Sequence, residues 1–208
     1  MATLNSSTPR TWTSSETVTA AMLNEELSSN FNAVVVLAQS TYLSDTTSTA
    51  ISCVLPAAGA AHKHVRIVGT IKTESTVSAN IRGQWSGITS SAYSYGRITA
   101  TGATSTGEQQ NAATSGVFGV NDRGVVSGVS YAPFDITIPN ANLTNWKSWV
   151  SEHSRFESTA TGGLSTYIVG GVCASTIATS TALILLAGSP GSGLNLSSGT
   201  RLSVYWIP

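Results

Sequence analysis

The chain has 208 residues, among them 10 Lys and Arg against 10 Asp and Glu, so its formal net charge at pH 7 is zero. That balance excludes the clustered cationic surface with which nucleic-acid binders displace counterions from phosphate. Ser and Thr exceed a quarter of the residues, yet the aliphatics between them, with five Trp and six Tyr, argue for packed surfaces rather than a disordered chain.

The length suits one ordinary domain with a real core and a short appendage. No apolar run approaches the roughly 18 to 20 residues of a membrane span. The most apolar stretch, ALILLAG at 182–188, is far shorter, so no membrane insertion is expected. The opening MATLNSSTPRTW has no apolar core of the kind a signal peptide needs.

The first periodic segment is VTAAMLNEELSSNFNAVVVLAQ at 18–39. Ala20, Leu23, Leu27, Asn30, Val34 and Leu37 step by three and four, which draws a heptad seam down one helical face. Phe31 broadens that stripe. Thr19 is a suitable N-cap, and Val18 with Leu23 could form a hydrophobic staple. A helix of this length is marginal alone in water, so its seam needs a partner. Either the helix packs on its own β-domain or on another protein, or it forms a short parallel coiled coil with Asn30 fixing the register.

After Ser40 the character changes to short runs of Val, Ile, Thr, Tyr and Trp punctuated by Gly, Ser, Asn and Pro, the pattern of antiparallel strands. Strands are predicted at 49–56, 64–72, 78–87, 94–102, 134–140, 166–175, 181–188 and 200–207. Eight or so such strands suit a two-sheet jelly roll. The expected fold is therefore mainly β, an antiparallel jelly-roll-like sandwich preceded by one N-terminal helix. Its domains are 1–40, an extended segment and helix for docking or oligomerisation, and 41–208, the sandwich. GATSTGEQQNAATSG at 102–116 reads as an exposed loop, and NLTNWKSWVSE at 142–152 as a turn or surface excursion. No internal repeat is visible, which argues against a solenoid.

Candidate chemistry is sparse. His62 and His64 would share the face of Arg66, but a structural zinc needs four ligands and a catalytic one usually three. His153 is the remaining histidine, and Lys63 and Arg66 would repel a cation, so no metal is expected. GSPGSG at 188–193 lacks the Lys-Ser/Thr of a phosphate-binding loop. No serine sits in a GxSxG turn. Glu74, Glu108, Asp122, Asp135, Glu152 and Glu157 are scattered, with no reason to choose a pair. Asn5, Asn142 and Asn195 fit the glycosylation pattern, which recurs by chance in so Ser/Thr-rich a chain. Cys53 and Cys173 read as two small buried hydrophobes in preference to a disulfide. No cofactor is expected, and the chain is not expected to be an enzyme.

Several stretches together resemble the structural proteins of tailed-bacteriophage virions, of the minor-tail or short tail-fibre kind with a C-terminal β-sandwich. TPRTWTSSETVTAAMLNEELSSNFN (8–32) is similar to their Trp-containing opening and "VTAAxLN" helix. AHKHVRIVGTIK, SANIRGQWSG and SAYSYGRITATG are similar to the next block, with His64 and Arg66 matching and Gln84-Trp85 and Tyr93 to Tyr95 replacing the usual residues. FDITIPNANLTNWKSWVSE is similar to a later "IPxYxxxxxxK" segment. The ending LNLSSGTRLSVYWIP resembles a terminal strand that closes on "LYGI", with Trp206 a departure where that family has Gly.

The resemblance implies a virion-surface protein, on the tail in preference to the head, acting in attachment to the host. It implies a homo-oligomer, with a trimer favoured, held to other virion proteins through the N-terminal segment. A host cell-surface glycan is the expected ligand, with Trp85, Tyr93, Tyr95, Trp146 and Trp149 as candidate stacking platforms. Capsid decoration or a head fibre is the alternative, and a polysaccharide-degrading tail enzyme ranks last.

Overall fold

The computed structural model of the chain describes residues 19, 38–44, 48–54, 63–73, 79–101, 103–121, 132–157, 163–178, 181–188 and 190–207. Twelve strands run through them: β1 (Ala38–Ser44), β2 (Ala50–Val54), β3 (His64–Ile71), β4 (Ala79–Trp85), β5 (Tyr93–Thr101), β6 (Thr104–Ala113), β7 (Gly116–Asn121), β8 (Ala132–Ile138), β9 (Asn145–Glu157), β10 (Gly163–Ile177), β11 (Ala182–Ala187) and β12 (Thr200–Ile207). The protein is mainly β, in two antiparallel sheets. One has eight strands in the order β1-β12-β3-β8-β9-β10-β5-β6, the other four in the order β2-β11-β4-β7.

The pairing follows a nested rule. β1 lies beside β12, β2 beside β11, β3 beside β8 and β4 beside β7. Along each arm of this pairing, β1 to β4 and then β7, β8, β11 and β12, the strands alternate between the two sheets, as when one long hairpin is wound across itself. Two excursions are spliced into that winding, β5–β6 and β9–β10. They meet where β10 pairs with β5, with Gly170 opposite Gly96, and so widen the large sheet on one side.

All eight predicted strands are present. Three expectations are corrected. The helix expected over 18–39 cannot run to its end, because Ala38 and Gln39 open β1, paired with Trp206 and Tyr205 of β12. That strand also crosses the expected domain boundary at 40. The helical seam residues Ala20, Leu23, Leu27, Asn30, Phe31, Val34 and Leu37 lie outside the described residues.

The segment 102–116 is exposed as expected, but it is extended rather than a loop. Thr104 to Ala112 are exposed at every position while hydrogen-bonded to β5. An edge strand with neither face on the core has no apolar alternation to reveal it. The third correction is 142–152, most of which belongs to β9. Its inward positions are Lys147, Trp149, Ser151 and His153, all buried. Three polar side chains on the buried face hid the alternation.

One apolar cluster fills the space between the sheets. At its centre the Trp149 ring of β9 stacks on Phe118 of β7, with centroids 4.4 Å apart. Its indole N–H donates to the carbonyl of Val117 at 3.0 Å, so one side chain ties the two sheets by packing and by a hydrogen bond. The ring lies where Gly171 and Gly116 have no side chain: a Cβ on them would stand 2.2 Å and 2.6 Å from the ring. These glycines are required by the core.

Candidate functional site

The five aromatics expected to form a glycan platform are split by the fold. Trp85, Tyr93, Tyr95 and Trp149 point into the core, each at most 3% exposed, and have no ring face left for a ligand. Their polar ends serve the scaffold. Tyr93 Oη accepts from the backbone N–H of Trp85 at 2.8 Å and donates to the carbonyl of Ile88 at 3.0 Å, closing the β4–β5 turn. Tyr95 Oη donates to Oε1 of Gln110 at 2.5 Å and holds β6. Trp146 alone of the five is open, at 60% exposure.

Trp146 lies on the outer face of the large sheet, the side turned away from β7. Along β9, Trp146, Ser148, Val150 and Glu152 face outward and alternate with the buried set. On β5 the outward positions are Ser94, Gly96 and Ile98; on β10 they are Ile168, Gly170 and Val172. The register sets these strands side by side: Ile98 opposite Ile168, Gly96 opposite Gly170, Ser94 opposite Val172. On the other flank Gly170 meets Val150 and Val172 meets Ser148.

This arrangement forms a groove of about 820 Å³ along β5, β6 and β10. Its floor dips at Gly96 and Gly170, where two neighbouring side chains are missing. Ile98 and Ile168 form the wall at one end, exposed by 58% and 47%. Gln109 and Asn111 of β6 form a polar rim. The distance from Ser94 to Ile98 is about 13 Å at the usual rise of a strand. Trp146 is two positions along β9 from Ser148, just beyond the Val172 end.

Two charged residues border the groove, Arg97 and Glu108. They form an ion pair with each other, and Arg97 also donates to Oδ1 of Asn80 at 2.9 Å. The groove therefore presents hydroxyl, amide and apolar groups with its charges already matched.

A second, smaller depression of about 320 Å³ lies on the same face at Arg66, Asp135, Thr137, Val150, Glu152 and Ile207. It brings together two carboxylates that the sequence left scattered, Asp135 and Glu152, directly opposite in the register. Asp135 is engaged by Arg66, whose Nε donates to Oδ1 at 3.0 Å and whose terminal nitrogen donates to Oδ2 at 2.5 Å. That fork leaves one carboxylate of the two open.

The histidines separate. His64 Nδ1 accepts from the backbone N–H of Asn140 at 3.1 Å. His153 is buried and stacks on Tyr167, with centroids 4.9 Å apart. His62 lies outside the described residues, as do Glu74 and Asp122. Cys53 and Cys173 are buried free thiols, on β2 and β10. Asn142 is buried, which counts against its use as a glycan acceptor. Among the described residues no group of three or more His, Cys, Asp or Glu is placed to hold a metal ion.

Sequence reading missed the groove because its residues are ordinary. Glycine, isoleucine and glutamine carry no chemical motif. The one available signal was the pair of interior strand glycines, Gly96 and Gly170. Set against known protein families, curated proteins and solved structures, the chain matches none of them.

Proposed function

We propose that this chain is a virion structural protein, associated with the tail and contributing to attachment at the host surface. The resemblance of its ordered sequence blocks to tailed-phage virion proteins supports the class, and the outer-face groove is the observation that supports recognition rather than decoration. In this reading the winding is a jelly roll, β1-β12-β3-β8 against β2-β11-β4-β7, enlarged by the β5–β6 and β9–β10 hairpins. Such rolls serve in capsids and in lectins alike, so the fold does not choose between them. A pure capsid stabiliser needs no open groove on the face turned from its core.

The N-terminal seam from Ala20 to Leu37 would gather copies, a trimer being favoured, and dock them to other virion proteins. Several copies on one particle raise the effective concentration of each groove, so weak single contacts add up to firm attachment. No catalysis and no cofactor enter this account. Of the five candidate aromatics, Trp146 is the one that remains available to a surface ligand.

Immunogold electron microscopy of intact particles tests the reading. Label at the distal tail is expected. Label over the head moves the protein to the decoration role, and particles without label overturn a virion-surface assignment.

A further inference from the structure

Two glycines of the groove have no structural reason to be glycine. Gly96 and Gly170 lie inside strands, where lack of a side chain weakens the sheet. Neither has the positive φ that would require it. A Cβ on Gly96 would come no closer than 3.8 Å to another atom, and one on Gly170 no closer than 3.9 Å. Gly171, the next residue, is the contrast: its Cβ would collide with Trp149. The fold thus needs Gly171 and leaves room for a Cβ at Gly96 and Gly170. Those two are paired across the strands, and both line the groove of about 820 Å³. Glycine inside a strand often marks a bulge, a tight bend or the close approach of a ligand or another backbone, and the β5–β10 register runs unbroken through this pair.

We infer that this groove is a binding subsite for a neutral saccharide chain, with one sugar ring lying flat over Gly96 and Gly170. The inference deepens the attachment reading and rests on it for the setting in which the ligand is met. The chemistry of the walls selects the class. A pyranose ring has an apolar C–H face and a rim of hydroxyls. The glycine backbone and the Ile98–Ile168 wall receive the face, while Gln109, Asn111 and Ser94 offer donors and acceptors to the rim. The volume of about 820 Å³ falls within the roughly 300 to 1,000 Å³ usual for small-ligand sites. Arg97 and Glu108 neutralise each other, so the groove holds no unmatched cation to reward a uronate, sialate or phosphate. A neutral chain fits it, and an acidic one gains nothing there.

The test is retention of the full-length protein on a printed array of neutral and acidic bacterial surface saccharides, comparing it with the Gly96→Val/Gly170→Val double variant. Valine suits a strand, and a Cβ at either site meets no atom closer than 3.8 Å, so the variant is expected to melt near the temperature of the parent, which calorimetry checks. A second variant, Ile168→Ser, removes part of the apolar wall without filling the floor. Binding to neutral saccharides, weakened at least tenfold by either variant with the fold intact, is the expected result. Preference for acidic saccharides, binding unchanged in both variants, or no binding to the array would each overturn the inference. Particles carrying the double variant are assayed for adsorption in parallel. Poor adsorption with an empty array would sink the saccharide while leaving attachment standing, with a protein receptor in its place. Normal adsorption by particles lacking the protein, with the array positive, would sink attachment and keep the site.

Discussion

At the scale of single residues, adjacent positions on one strand answer to different demands. Gly171 faces inward against Trp149, so Gly171→Ala should cost about 1–3 kcal/mol through overpacking, read as a lower urea midpoint. Gly170→Ala faces outward into open space and should be neutral or slightly stabilising. Ionisable residues in the core make a second case. Burial pushes the Cys53 thiol from 9.0 up to about 12, and burial likewise raises Tyr93 and Cys173. Each stays protonated in the folded chain at a pH where the unfolded chain ionises. Their stabilising share is complete below about pH 9 and is lost as pH rises beyond it. Lys147 acts the other way, since burial lowers it below 10.5 and its share grows as pH climbs towards that value. Three acids against one base give a net fall. Calorimetry should therefore show the melting temperature dropping above about pH 9, and dropping less steeply in Cys53→Ala, which removes one of the three.

At the scale of elements, legibility followed burial. Strands with one clean apolar face, such as β3 with Val65, Ile67 and Ile71 buried, could be read directly from period-two alternation. β6 could not, because it buries only its last residue. β9 could not, because its inner face holds Lys147. That lysine is fully buried, and its ammonium donates to the carbonyls of Leu143 and Asn140 and to Oδ1 of Asn145 at 3.2 Å. It closes the β8–β9 turn from inside, a role set by three-dimensional carbonyl placement and invisible in a one-dimensional pattern. Lys147→Met keeps most of the volume but removes the donors. It should destabilise the fold by about 1–3 kcal/mol, the usual cost of orphaning buried acceptors. Amide exchange at residues 140–145 should quicken more than in β3, and an even change across both would argue against a local clasp. Four of the five platform aromatics, Trp85, Tyr93, Tyr95 and Trp149, are buried at this same scale: they are Trp or Tyr because the core needed volume there. The groove that replaced it is legible only once Gly96 and Gly170 are known to be paired.

At the scale of the whole molecule, the β-body and the N-terminal seam should be separable. In the proposed attachment role, binding at one groove would depend on β5, β6 and β10, whereas attachment by a particle would depend on how many grooves it presents. Aspartate at Leu23 and Leu27 would place charge in the predicted seam, where burial without a partner is costly. Both positions precede β1 in the chain. The double variant Leu23→Asp/Leu27→Asp is expected to sediment as a single chain where the parent sediments as an oligomer, while melting as the parent does at the β-body. Its affinity for a monovalent ligand should be unchanged, and its retention on a multivalent surface should fall by at least tenfold. Were retention to fall with the sedimentation unaltered, the seam would be a docking element for a different protein. Were neither to change, the apolar stripe from Ala20 to Leu37 would belong to the β-body of its own chain.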